Sequence, residues 1–194
     1  MKKGLTEIVF ILDRSGSMEG LEKDTLGGFN AFVEKQLEAE GEVNVTAVLF
    51  DDMYELLWNS IPAEKARLTE NEYFVRGSTA LIDAIGKTIT DVGHRLYKTK
   101  EDERPEKVIF VIITDGLENS SKEFSHAKIR DMIRYQQYKY SWDFIFFGAN
   151  IDAVLEADHI GIKGEDAFGY EASQEGVKKM YETASEAVFE KRKK

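Results

Sequence analysis

Ile8-Val9-Phe10-Ile11-Leu12 constrains this chain most. It is a continuous apolar run of β-branched and aromatic residues that stops at the polar turn Asp13-Arg14-Ser15-Gly16-Ser17. A strand with one wetted face alternates apolar and polar residues. A run without alternation fits a strand covered on both faces, as central parallel strands are. Val108 to Ile113 repeats the pattern and ends at Thr114-Asp115-Gly116, and Phe144 to Phe147 repeats it again, ending at Gly148-Ala149-Asn150. Val43 to Phe50 alternates more and fits a strand nearer the sheet edge, with Tyr54 to Trp58 as its hairpin partner across Asp51-Asp52.

Between these runs the apolar residues recur at helical spacing. Leu26, Phe29, Phe32/Val33 and Leu37 form one such set, and Ile82, Ile85, Ile89, Val92 and Leu96 a second. Ile129, Met132 and Ile133 mark a third helix; Val177, Met180/Tyr181, Ala184 and Val188 mark a fourth. Strands alternating with helices predict an α/β domain, doubly wound around a mainly parallel central sheet with one antiparallel edge strand. The 194 residues fit a single domain, 1–194. Thr99 to Lys107, with Pro105, reads as a solvated connector.

Composition narrows the chemistry. The chain has no cysteine, which removes disulfides, thiolate metal sites and cysteine nucleophiles. Its net charge of −10 disfavours nucleic acid, and the one dense basic run, Lys191 to Lys194, is expected to fray at the C-terminus. No apolar run approaches the length of a membrane helix or of a secretory leader, so a soluble, cytoplasmic protein is expected. No G-x-G-x-x-G or Walker pattern follows a strand.

Ligands of open α/β sheets sit outside the carboxyl ends of the strands. After the first strand, Asp13, Ser15 and Ser17 alternate, so a nearly extended turn would aim three oxygens at one point. Asp115 follows a second buried strand, and Thr79 stands where Arg76-Gly77-Ser78-Thr79 runs into a helix. Two carboxylates and three hydroxyls, without histidine or cysteine, make an all-oxygen set suited to a hard divalent cation. Carboxylates at adjacent strand ends would otherwise repel. Ser78 is expected to cap the helix that follows it. Glu118 and Asn119 fall at the rim, Arg14 faces solvent or an acidic partner, and Asp51 serves the hairpin turn. The three histidines are read as scattered surface or packing residues.

At these positions the chain resembles the von Willebrand factor A-like family with its metal-ion-dependent adhesion site. The family pattern is Asp-x-Ser-x-Ser after the first strand, a threonine in a second loop and an aspartate in a third: here Asp13, Ser15 and Ser17, then Thr79, then Asp115. The short form Asp-Arg-Ser-Gly-Ser-Met is similar to that of bacterial intracellular members. The resemblance implies a Rossmann-like sheet of order 3-2-1-4-5-6. It implies Ser15, Ser17 and Thr79 as direct ligands of Mg²⁺ or Mn²⁺, with Asp13 and Asp115 acting largely through water. It implies a metal-dependent protein-binding module, not an enzyme, in which a partner's Asp or Glu completes the coordination, with a scaffold or assembly role and movement of the last helix on ligation. The alternative is a Mg²⁺-dependent phosphoryl-transfer enzyme similar to the haloacid dehalogenase-like phosphatases, with Asp13 as nucleophile. That family also wants an acid two residues later, where this chain has Ser15.

Overall fold

A computed structural model describes residues 1–193. In chain order the elements are β1 (Lys2–Asp13), α1 (Glu22–Leu37), β2 (Glu42–Phe50), β3 (Tyr54–Pro62), α2 (Leu81–Lys98), β4 (Pro105–Thr114), α3 (His126–Tyr140), β5 (Asp143–Ala149), α4 (Ala153–His159), β6 (Ala167–Tyr170) and α5 (Gln174–Lys193). The sheet order is β3-β2-β1-β4-β5-β6, with β3 antiparallel to β2 and every other neighbour parallel.

Because side chains alternate across a strand, β1 feeds two cores. Ile8, Phe10 and Leu12 pack with Phe29, Phe32 and Val33 of α1 and Val177, Met180 and Val188 of α5. Val9 and Ile11 pack on the other face with Ile82, Ile85 and Ile89 of α2 and Ile129 and Ile133 of α3. That two-sided burial is why the run shows no polar alternation. Phe10 meets Phe29 and Phe32 edge-on, and Phe110 stacks on Trp142 and Phe144.

Several expectations need amendment. The residue pattern marked neither β6 nor α4, which are four and seven residues long. Only the resemblance implied a sixth strand. The connector closes earlier than expected, since Pro105 already begins β4. The basic C-terminus is docked, not frayed. Lys191 pairs with Asp143 and Asp166 at 3.0 and 2.8 Å, and Arg192 donates to the carbonyls of Gln36 and Glu40. Lys194 lies outside the described residues. No described helix is long and apolar enough to cross a membrane.

The crossing of α1 and α5 depends on Gly28, where an added Cβ would stand 2.3 Å from the ring of Tyr181. Tyr181 is itself buried, in the core formed by α1 and α5. Alanine for glycine inside a helix ordinarily stabilises by ~1 kcal/mol. Here overpacking reverses the sign, and Gly28→Ala is expected to cost about 1–3 kcal/mol, read as a lower urea midpoint at unchanged slope.

Candidate metal centre

The carboxyl ends of β1 and β4 lie side by side where the chain leaves the sheet in opposite directions, the switch point of such a fold. Asp13 is the last residue of β1 and is 1% exposed. Its Oδ1 accepts the Ser15 N–H at 2.7 Å, which turns the chain at once. Ser15 stays extended and Gly16–Met18 form one 3₁₀ turn, pinned by the buried Met18. Neither serine serves as a helix cap at this turn.

The loop is fastened from the side. Arg14 donates its N–H to the Phe50 carbonyl and accepts the Arg76 N–H, while Gly16 donates to the Gly77 carbonyl at 3.1 Å. Gly77 has φ +67°, and a Cβ there would fall 2.0 Å from Asp52 Oδ1, so a larger residue would be strained.

Four of the five sequence-predicted residues meet directly. The Ser15 and Ser17 hydroxyl oxygens are 3.1 Å apart, and Ser17 donates to Asp115 Oδ1 at 2.7 Å. Asp13 Oδ2 accepts the Thr114 hydroxyl at 2.7 Å and lies 3.5 Å from the Asp115 amide. Thr79 is buried at the same end and is held by its main chain. Its N–H donates to Asn119 Oδ1 at 2.8 Å and its carbonyl accepts the Asn119 N–H at 3.0 Å. Asn119 thus ties the Thr79 loop to the Asp115 loop. Glu118 accepts the Ile82 N–H, satisfying the start of α2 in place of Ser78, which is exposed and caps nothing.

The electrostatics are unfavourable for two anions. Burial pushes the Asp115 carboxyl up to about 6 against the Ser17 hydrogen bond, with the Asp13 charge adding to the rise. Burial likewise raises Asp13, opposed by its bonds from Ser15 and Thr114. Asp115 Oδ2 is buried and accepts no hydrogen bond. Arg14 does not neutralise the pair. It is fully buried, not facing solvent or a partner as expected, because its guanidinium turns to Asp51 (3.3 Å) and Glu55 (2.7 Å). Asp51 does make the expected turn, accepting the Met53 N–H, but it is also buried between Arg14 and Arg76.

An orphaned carboxylate oxygen, a second carboxylate and converging hydroxyls fit a hard divalent cation. Among the described residues no three His, Cys, Asp or Glu side chains cluster as a metal site, so any ion here relies on hydroxyl ligands. His126 and His159, expected to be scattered, have ring centroids 6.4 Å apart, at the start of α3 and the end of α4.

Sequence reasoning missed the supports. Tyr73 donates to the Asp13 carbonyl at 2.7 Å, Tyr170 to the Thr114 carbonyl at 3.2 Å, and Asn150 to the Asp115 carbonyl at 3.0 Å. Thr114, beside Asp115, and Asn150, at the end of β5, stood next to recognised signals. The two tyrosines carried none.

No family model and no curated protein matches the chain. Solved structures do. A proximal thread matrix protein of the mussel byssus, determined with a zinc-occupied MIDAS motif, superposes at TM-score 0.63 and 16% identity, covering 96% of this chain and 46% of that one. The PilB minor pilin of Streptococcus sanguinis gives 0.62 at 13% identity, covering 97% and 62%. The ArnB paralog VWA2 of Sulfolobus acidocaldarius gives 0.59 at 20% identity, covering 96% and 45%. The chain spans about half the length of these proteins, and at such identities the similarity establishes the fold: a von Willebrand factor A-like, Rossmann-type α/β domain.

A pH dependence follows from the two carboxyls. Their folded pKa values are raised, so their contribution to stability is present below the unfolded pKa near 4 and is lost as pH rises through the folded values, about 6 for Asp115. A divalent cation held between the two carboxylates would offset that loss by favouring the ionised pair. The rise in Tm on adding saturating Mg²⁺ should therefore be small near pH ~5 and reach roughly 5–10 °C near pH ~7.5 at about 100 times the Kd. Thermal melts with and without Mg²⁺ across this range measure it.

Proposed function

We propose that the domain is a metal-dependent protein-binding module of the cytoplasm, with Mg²⁺ or Mn²⁺ at the carboxyl end of the sheet receiving an Asp or Glu from a protein partner. The observation that carries this reading is Asp115 Oδ2, a buried carboxylate oxygen without a partner, beside the Ser15–Ser17 hydroxyl pair. The fold, and the zinc in a MIDAS motif of the mussel protein, agree with it.

Ser15, Ser17 and Thr79 would hold the ion directly, and Asp13 and Asp115 would act chiefly through water. When bound, the ion supplies an electrophilic centre that hydroxyl ligands leave short of negative charge, and this favours an outside carboxylate. The protein's part is to hold the oxygens still. Asp13 fixes Ser15, Tyr73 fixes the end of β1, and Asn119 fixes Thr79. Such a device joins proteins without bond cleavage, which suits a scaffold or assembly factor, not an enzyme, and neither nucleic acid nor a membrane is a partner.

The phosphoryl-transfer alternative draws no support from Asp13. Its carboxylate is 1% exposed and each oxygen already accepts a hydrogen bond, from the Ser15 N–H and the Thr114 hydroxyl, so it is a poorly accessible nucleophile.

Two variants test the reading. Asp13→Ala should abolish Mn²⁺ binding by calorimetry while the far-ultraviolet circular dichroism stays native, because two cores flank the site. Ser15→Asp should supply the missing charge, tightening Mn²⁺ while weakening capture of a metal-dependent partner by about tenfold or more. Capture from lysate is compared in Mg²⁺ and in chelator. Mn²⁺ binding that survives Asp13→Ala, or a partner retained equally by Ser15→Asp, contradicts the mechanism.

A further inference from the structure

Just past β5 the backbone takes an uncommon conformation beside the candidate centre. Asn150 has φ +59°, in the left-handed region that residues other than glycine rarely occupy. Ser60 and Ser141 share such a value, but both lie at the opposite end of the sheet, against the starts of β2 and β5. The bend at Asn150 is built into its surroundings. It brings Ile151 back over Gly148, where a Cβ would stand 2.8 Å from the Ile151 side chain. Ile151 thereby packs on the second core, and Asp152 caps α4 by accepting the Leu155 N–H at 3.1 Å.

The same bend aims the Asn150 side chain at the neighbouring loop, where Nδ2 donates to the Asp115 carbonyl at 3.0 Å. The ladder between β4 and β5 ends at Thr114 and Gly148, so Asp115 is the first residue beyond it. Its carbonyl takes a donor from a side chain, where the strand no longer provides one. Asn150 is exposed, so burial of an apolar group is not what selects it. Asparagine combines two properties that this position uses: it tolerates the left-handed region, and its short amide carries an N–H donor. Glycine has the first and lacks the second.

We infer that Asn150 is a positioning residue of the candidate metal centre, which sets metal affinity by fixing Asp115 from the next strand without touching the ion. The link is short. Asp115 Oδ1 receives the Ser17 hydroxyl, and Oδ2 is the bare buried oxygen that carries the metal reading. Both oxygens belong to a residue whose main chain is held on either side, the Thr114 carbonyl by Tyr170 and the Asp115 carbonyl by Asn150. The Asp115 amide adds only a long contact, 3.5 Å from Asp13 Oδ2. With the Asn150 bond removed, one side of Asp115 is free, and an arriving ion has to order the carboxylate that the turn now holds in place. This inference rests on the metal-module reading above and adds to it a residue outside the ligand set.

The test compares the full wild-type chain with Asn150→Gly, Asn150→Ala and the remote control Ser141→Gly. Each is followed by Mn²⁺ calorimetry, by thermal melts in chelator and by Mn²⁺ electron paramagnetic resonance. Asn150→Gly keeps the bend and removes the donor. Its Mn²⁺ affinity is expected to fall about tenfold while its metal-free Tm stays within about 2 °C of wild type. Its resonance lines at saturation should be broader, because a loosely held Asp115 gives the ion a spread of surroundings. Asn150→Ala also loses tolerance of the bend, and should lower Tm as well as affinity. Ser141→Gly should leave Mn²⁺ affinity unchanged. If Asn150→Gly does not fold, Asn150→Ser replaces it, since serine adopts positive φ at residues 60 and 141 and is too short to reach the carbonyl. Wild-type affinity and line width in Asn150→Gly, or an affinity loss found only in step with a loss of Tm, would overturn the inference and leave the metal site standing. Absence of Mn²⁺ binding to the wild-type chain would overturn the metal reading and this inference with it.

Discussion

Asp13 and Asp115 are held close together and away from water because β1 and β4 are parallel neighbours ending at the same level. Two buried like charges are costly, and much of this end of the molecule is arranged around them. Ser15, Ser17 and Thr114 supply hydrogen bonds to three of the four carboxylate oxygens. The fourth, Asp115 Oδ2, is left without one. A site that directs so many donors at two anions, yet leaves one oxygen bare and turns its nearest arginine away, fits the proposed cation supplied from outside.

The turning away of Arg14 has a second consequence. Its backbone belongs to the candidate metal loop, while its side chain belongs to the network of Asp51, Glu55 and Arg76. The residue between the first aspartate and the first serine therefore joins the loop to the hairpin turn of β2 and β3. The same network holds Phe74 and Met53 at the surface. Rigidity at the proposed site and the shape of the neighbouring surface have a common origin in one buried carboxylate.

The supports beneath the site come from far along the chain. Tyr73 precedes α2, Tyr170 ends β6, and Asn150 follows β5, yet each donates to a main-chain carbonyl of residues 13, 114 or 115. Burial raises the pKa of both tyrosines, keeping them protonated as donors. The contacts lock the ends of β1 and β4, so the nearby oxygens would need little reorganisation to receive the proposed ion.

The sequence by itself determined the architecture. Unbroken apolar runs at Ile8–Leu12, Val108–Ile113 and Phe144–Phe147 require cover on both faces, and the helical spacing between them supplies that cover. It also determined the candidate oxygens, because Asp13, Ser15 and Ser17 are close neighbours and Asp115 directly follows a buried strand. Short elements escaped it. Ala167–Tyr170 and Ala153–His159 are too brief for a period to emerge, and they form because β5 and the sheet face offer them surfaces. Only the tertiary structure decided the partners of each charge. Arg14 reads as a surface residue until Asp51 and Glu55 are seen beside it, Ser78 as a cap until Glu118 takes that place, and Lys191 as a frayed end until Asp143 and Asp166 receive it. Periodicity reports which face of an element is buried, whereas a side chain's charge partner depends on how distant segments meet, and no local pattern encodes that.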